Sequence, residues 1–200
     1  MRLLVATRNR DKLREIRALL ADLEFDILSA NDVPGVPEIV EDQPTVRDNA
    51  IKKAVETARA TKLLTLADDT GLEVDALGGA PGVRSARFAG DGASYAENNK
   101  KLLTDMQSVA AEKRAGRFRC VVAIADENGV VEVVEGICNG AILTEEKGGN
   151  GFGYDPLFVP DGQLKCFGEL TEDVKNRISH RAKALQKAWA VLSRYKRKRG

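Results

Sequence analysis

Histidine and cysteine are nearly absent from this chain: His180 stands alone, and Cys120, Cys138 and Cys166 are odd in number and far apart, with no Cys-x-x-Cys pair. A structural zinc site takes about four such ligands at close spacing, and these scattered residues make too poor a set for one. Thiols without a disulfide framework point to a reducing compartment, and a cytoplasmic setting is the expectation. No apolar run approaches the roughly 18 residues of a membrane span, so no membrane partner is expected. Met1-Arg2-Leu3-Leu4-Val5-Ala6-Thr7 gives way at once to charge and reads as a buried strand rather than a signal peptide. Net charge is missing too: 31 basic residues face 30 acidic ones, leaving +1 and no overall field to recruit nucleic acid. The one concentration, Arg194-Tyr195-Lys196-Arg197-Lys198-Arg199 in a basic tail over 194–200, reads as a solvated helix end meeting the negative end of the dipole.

What remains is an ordinary globular mixture, 43% apolar and 30% charged over 200 residues, which predicts one domain over 1–200 with at most two lobes. Leu3–Ala6 reads as a strand buried on both faces, followed by a helix with Leu13, Ile16, Leu19 and Leu20 on one side, then a strand at Phe25–Leu28. Strand, helix and strand within about 30 residues predict an α/β protein. Pro34, Pro37 and Pro44 mark an irregular segment, 33–44, that carries Glu38, Glu41 and Asp42. Thr45 and Asp48 approximate a capping box for a helix through Ala50, Ala54 and Ala58. A buried strand from Leu63 to Ala67 is expected to stop at Asp68-Asp69-Thr70-Gly71. Ser94–Met106 reads as a helix, and Asn128-Gly129 joins two strands, 118–126 and 130–137, as a hairpin that makes the sheet mixed. Thr171-Glu172-Asp173 marks a helix start, and a long helix with Ala182, Leu185, Trp189 and Leu192 on its stripe closes the chain, with Ser179-His180-Arg181 just before or in it.

Four clusters carry candidate chemistry. Thr7-Arg8-Asn9-Arg10-Asp11-Lys12 follows a buried strand and opens a helix, where backbone N–H groups, a hydroxyl and cations form a phosphate cradle or, more simply, a cap. It is no P-loop, since the glycines of that motif are absent. Asp68 and Asp69 repel one another at a strand end unless a cation joins them, and oxygen donors select Mg²⁺ or Mn²⁺ rather than zinc, with Glu38 or Glu41 able to complete the shell. The alternative there is a plain turn. Glycines in 148–156 permit close approach of a ligand, while Phe152 and Tyr154 offer faces for a base or pack on the core. Ser179-His180-Arg181, with Lys175 upstream, reads as a donor set; one histidine without a nucleophile elbow makes no triad.

In this order the clusters resemble the inosine triphosphate pyrophosphatase family from Ala6 to about Leu185. The resemblance rests on Ala6-Thr7-Arg8-Asn9 with Lys12 and Glu15, Pro37-Glu38-Ile39, Asp48-Asn49-Ala50 with Lys53-Ala54, and Ala67-Asp68-Asp69-Thr70-Gly71-Leu72. Gly78-Gly79-Ala80-Pro81-Gly82-Val83 with Ser85-Ala86-Arg87, Gly151-Phe152-Gly153-Tyr154-Asp155-Pro156 and Ile178-Ser179-His180-Arg181 complete it. It implies an elongated mixed β-sheet flanked by helices, two lobes with a nucleotide cleft between them, and a homodimer. It also implies Mg²⁺-dependent cleavage of the triphosphates of ITP, dITP or XTP to the monophosphate and pyrophosphate. Carried onto this chain, Thr7, Arg8, Asn9, Arg10, Asp11, Lys12 and Lys53 contact the triphosphate, and Thr70 lies beside the substrate. Asp69 is the proton acceptor and a metal ligand, joined by Asp68 and by Glu38 or Glu41. Phe152, Gly153, Tyr154, Asp155, Lys175, His180 and Arg181 match the base and sugar pocket. Arg8 stands where the family often has glycine, and Thr70 where serine is common.

On this expectation Asp69 takes a proton from the water that attacks phosphorus, while Lys12 and Lys53 offset the developing charge. Donors from His180 and Arg181 meet the oxygen at purine C6, where adenine presents an amino group. Rival readings are a pyrophosphatase for modified pyrimidine nucleotides, a single-strand nucleic-acid binder using the tail and Phe152/Tyr154, and a nucleotide sensor without turnover. Near-neutral charge argues against the second, and the intact Asp68-Asp69 pair against the third.

Overall fold

The computed structural model describes residues 1–199. Strand β1 (Arg2–Val5) leads into helix α1 (Arg10–Leu20) and strand β2 (Asp26–Ser29); helix α2 (Val46–Thr61) and strand β3 (Thr65–Val74) follow the proline-rich segment. A two-residue strand β4 (Pro81–Gly82), helix α3 (Tyr95–Asp105) and the long strands β5 (Ala115–Asp126) and β6 (Gly129–Ile142) come next. Strand β7 (Phe158–Pro160) and helices α4 (Glu172–Ile178) and α5 (His180–Arg199) close the chain. All seven strands share one sheet in the order β2-β1-β3-β5-β6-β7, with β4 on β3. β1 runs parallel to β2 and β3, whereas β4 on β3 and β7 on β6 are antiparallel, so the expected mixed α/β sheet is what forms.

Local chemistry accounts for the starts of the helices. Asn9 Oδ1 accepts from the Asp11 and Lys12 N–H groups at 2.9 and 3.1 Å and so begins α1. Thr45 Oγ1 accepts from Asp48 N at 3.1 Å, and the threonine hydroxyl donates to Asp48 Oδ2 at 2.6 Å. Ser94 and Glu97 make a full capping box on α3. In α2 the alanines at 50, 54 and 58 are fully buried, which lets the helix lie close on its neighbours.

Two compact units emerge, each from discontinuous segments. The first comprises Met1–Asp69, Cys120–Gly136 and the chain from Arg181 onward; the second comprises Thr70–Arg119 and Ile137–His180. The first has a core of Leu3, Val5, Ile16, Leu66, Val122, Ile124, Leu185 and Leu192. The second is built around Leu72, Leu102, Met106, Phe118, Tyr154, Phe158 and Phe167, with Phe118 and Phe158 ring centroids 4.7 Å apart. No helix of the described residues is long and apolar enough to cross a membrane.

Several expectations change. β3 does not stop at Asp68 but runs on to Val74, because partners from other elements neutralise its carboxylates in place. β6 continues to Ile142, five residues beyond the expected end, where it pairs with β7. At the C-terminal end two helices form: Ser179 is extended (φ −69°, ψ 161°), and α5 starts afresh at His180, which settles where Ser179-His180-Arg181 lies. Trp189 is 41% exposed, and the buried stripe of α5 passes instead through Leu185, Ala188, Val191 and Leu192, because the small Ala188 fits the close approach. The basic tail as far as Arg199 forms the last turns of α5, with Lys196 Nζ donating to Leu23 O and Arg199 paired with Asp126; Gly200 lies outside the described residues.

Candidate active site

In the first unit a set of charges gathers on β3. Asp68, 2% exposed, receives Lys12 Nζ from α1 at 3.1 Å and Arg181 Nη2 from α5 at 3.1 Å on the same oxygen. Arg181, itself 1% exposed, also gives Nη1 to Glu15 Oε2 at 2.6 Å. Burial alone would push Asp68 up, but Lys12, Arg181 and Lys53 outweigh it and hold the carboxyl well below the usual range. Burial likewise pulls against the Lys12 ammonium, and Asp68, Asp69 and Glu41 together outweigh it, so Lys12 is raised.

Its neighbour is tuned the other way. Asp69 projects from the opposite face of the strand, and Lys53 of α2 reaches it at 3.8 Å. Lys53 Nζ also donates to Glu41 Oε1 at 2.5 Å and to the Asp68 carbonyl at 2.7 Å. Burial raises the Asp69 carboxyl, Glu41 and Asp68 push in the same direction, and Lys53 and Lys12 offset only part of the shift. Glu41 is lowered because Lys53 overcomes the effect of burial. Adjacent carboxylates driven apart in this way separate a permanent anion from a proton acceptor.

The proline-rich segment brings Glu41, not Glu38, to Lys53; Glu38 is exposed. Asn49 Oδ1 holds Gln43 N at 2.9 Å and so fixes the segment two residues beyond Glu41. At the turn after β1, Thr7 Oγ1 accepts from Asn9 N at 3.1 Å, and the exposed Arg8 donates to Val36 O at 3.2 Å. Since Asn9 already takes the Asp11 and Lys12 N–H groups, an anion here meets the hydroxyl and the cations rather than those two amides. Arg10 is exposed, Asp11 pairs with Arg14, and Thr70 is half-buried on β3.

The second unit carries the glycine-rich loop. Gly151 has φ +74°, and a Cβ there would collide with the Asp155 carboxylate, so this position needs glycine. Asp155 Oδ2 accepts from Phe152 N at 2.7 Å and from Lys175 Nζ at 2.5 Å. The Lys175 ammonium also lies 4.6 Å from the Phe152 ring centroid. Phe152 is half-buried. Tyr154 presents no face for a base: its ring is in the core at 5% exposure and its hydroxyl donates to Ser85 O at 2.8 Å, because the phenol needs a buried acceptor. His180 opens α5, is 3% exposed, and stacks on Phe118 at 4.5 Å.

Sequence reasoning gave Glu15 no role, although its place three residues after Lys12 puts both on one face of α1. It also passed over Asn98 and Asn99, polar residues on the α3 face that carries the buried Leu102, and Arg114, which is 4% exposed. Arg114 donates to the carbonyls of Met106, Ile142 and Leu143 at 2.8, 2.8 and 2.7 Å and so joins the end of α3 to the end of β6.

A model of the Ham1 family matches residues 3–191. A protein of Desulforamulus reducens named dITP/XTP pyrophosphatase is 50% identical over 194 residues, covering 97% of this chain and 96% of its own. One of the same name from Geobacter sulfurreducens is 48% identical over 184 residues, covering 92% of each. A solved HAM1 protein of Coxiella burnetii superposes with a TM-score of 0.88 at 38% identity, over 97% of this chain and 99% of that one.

Proposed function

The chain belongs to the Ham1 family, and from that premise we propose that it hydrolyses the triphosphates of non-standard purines (ITP, dITP and XTP) to the monophosphate and pyrophosphate, with Mg²⁺ as cofactor. The observation that carries this reading is the pair of carboxylates on β3 with Lys12 3.1 Å from Asp68 and Lys53 3.8 Å from Asp69. A family name alone would not favour hydrolysis over binding; an acceptor for a proton next to paired cations does.

Asp69 accepts the proton of the attacking water as a general base. Lys12 and Lys53 offset the negative charge that grows on the phosphate oxygens, and Thr7, Arg8 and Asn9 contact the triphosphate. Asp68 stays ionised and holds Lys12 and Arg181 in place. No group of three or more His, Cys, Asp or Glu side chains suited to a metal occurs among the described residues. Mg²⁺ commonly takes one or two protein carboxylates and fills its shell with water and phosphate, so the Glu41 and Asp69 oxygens around Lys53 fit an ion that arrives with the triphosphate. Held there, Mg²⁺ would screen the phosphate charge that repels a nucleophile.

Phe152 offers its ring to the purine, and Lys175 and His180 supply donors for the oxygen at C6; Arg181, 1% exposed and committed to Asp68 and Glu15, holds the acidic network instead of meeting the base as expected. Adenine would set an amino donor against those donors, a mismatch worth a factor of about 10⁴ where a site is built for the hydrogen bond. A homodimer in the cytoplasm is the setting we propose. The test is pyrophosphate release from ITP, dITP, XTP, dGTP and ATP, each with and without Mg²⁺. Fast release from the first three, dependent on the metal, is expected. Equal rates with ATP and ITP would overturn the donor roles, and phosphate in place of pyrophosphate would overturn the reaction.

A further inference from the structure

We infer that Asn99 and Tyr95, one turn apart on α3, are positioning residues that fix Phe152 and thereby set the selection of the purine. The inference rests on the reading of Phe152 as the purine platform. Asn99 is 3% exposed and shares its face of α3 with Leu102 and Met106, both fully buried. An amide among such neighbours is unfavourable unless its polar atoms are paired. Only half of it is: Nδ2 donates to Gly153 O at 3.2 Å, while Oδ1 is buried without a hydrogen-bond partner. An apolar side chain would serve the helix better, so what the amide contributes is its hold on Gly153.

That hold acts on Phe152 directly. Its own N–H is fixed by Asp155, and the residue that follows it is fixed by Asn99, so the backbone of the aromatic residue is pinned on both sides. The ring is bounded by Lys175 Nζ at 4.6 Å and by the Tyr95 ring, whose centroid lies 6.0 Å away at an interplanar angle of 42°. Tyr95 and Asn99 are spaced i, i+4 and so present one surface. The helix behind them is itself anchored. The capping box of Ser94 and Glu97 secures its start, Asn98 bonds Ala89 N and Ala86 O at 2.8 and 3.2 Å, and Arg114 takes the Met106 carbonyl that follows it. A rigid wall so placed fixes where a stacked base sits, and with it which atoms of that base meet the donors.

The experiment is steady-state kinetics with ITP and ATP, together with inhibition by tripolyphosphate, a probe with no base. Asn99→Ala raises KM for ITP about fivefold to tenfold at nearly constant kcat, and narrows the preference for ITP over ATP. Tyr95→Ala, at a 43% exposed position that folding tolerates, raises it about two- to threefold. Tripolyphosphate inhibits wild type and both variants equally. Asp105→Asn, which breaks an exposed ion pair with Lys101 on the same helix, leaves KM at the wild-type value. An unchanged KM for ITP in both variants, or an equal loss toward tripolyphosphate, would overturn the inference. Absence of pyrophosphate release from ITP by the wild-type protein would instead overturn the reading of the site on which it stands.

Discussion

Asp68 and Phe152 are each held by several side chains, but by different means. Around Asp68 the holders are whole charges, Lys12 from α1, Arg181 from α5 and the nearby Lys53 from α2, all converging on a buried strand. Around Phe152 the holders are single hydrogen bonds, one from Asp155 and one through Asn99 to the next residue, with ring contacts on its flanks. Buried charges tolerate no missing partner, so the first region should fail abruptly when one is removed. Hydrogen bonds from side chain to backbone are worth little individually, so the second should loosen in steps.

The largest effect expected from this contrast is that of Arg181→Met. It strands Glu15 and Asp68 as buried carboxylates without their shared cation, and the loss in unfolding free energy by urea titration should be about 3–5 kcal/mol. A loss under about 1 kcal/mol would mean that the network is wetter and weaker than its burial implies. Next is Arg114→Met in the second unit, where three carbonyls lose a buried donor; about 3 kcal/mol is expected in the same titration. If it matches or exceeds Arg181→Met, whole charges are not what separates the two regions.

The smallest effect sharpens the contrast from outside both sites. Burial alone would raise Glu73, but Arg119 and Arg117, bonded at 2.8 and 2.6 Å, bring its carboxyl below the ordinary value. A depressed folded-state pKa stabilises above the unfolded value, near 4.5, and that contribution fades as pH falls through the folded value. Glu73→Gln should therefore cost about 1 kcal/mol or less at pH 7, because the pair is partly solvated, and the gap from wild type should close toward pH 3. A gap that widens on acidification would contradict the sign.

The alternation of strand and helix, the cap at Thr45 and the Asn128-Gly129 hairpin were legible because each is decided within a few residues. The gathering of Lys12 and Lys53 with Asp68 and Asp69 was legible only through the family resemblance, since no local pattern brings Lys53 of α2 to β3. The passage of β3 through its own carboxylates was not legible, because the cation that permits it, Arg181, lies 113 residues away in sequence. Arg114 and Asn99 escaped for a related reason: they bond backbone carbonyls, and a carbonyl leaves no mark in the residue letters. The break at Ser179 was hidden by an apolar pattern that continues across it.

The most direct measurement is single-turnover pyrophosphate release from ITP with Mg²⁺ by wild type and Asp69→Asn, beside nucleotide affinity measured calorimetrically. With Asp69 as the proton acceptor, the variant should bind ITP about as tightly as wild type and release pyrophosphate slower by a factor of about 10² or more. Release at the wild-type rate would show that Asp69 is not the base.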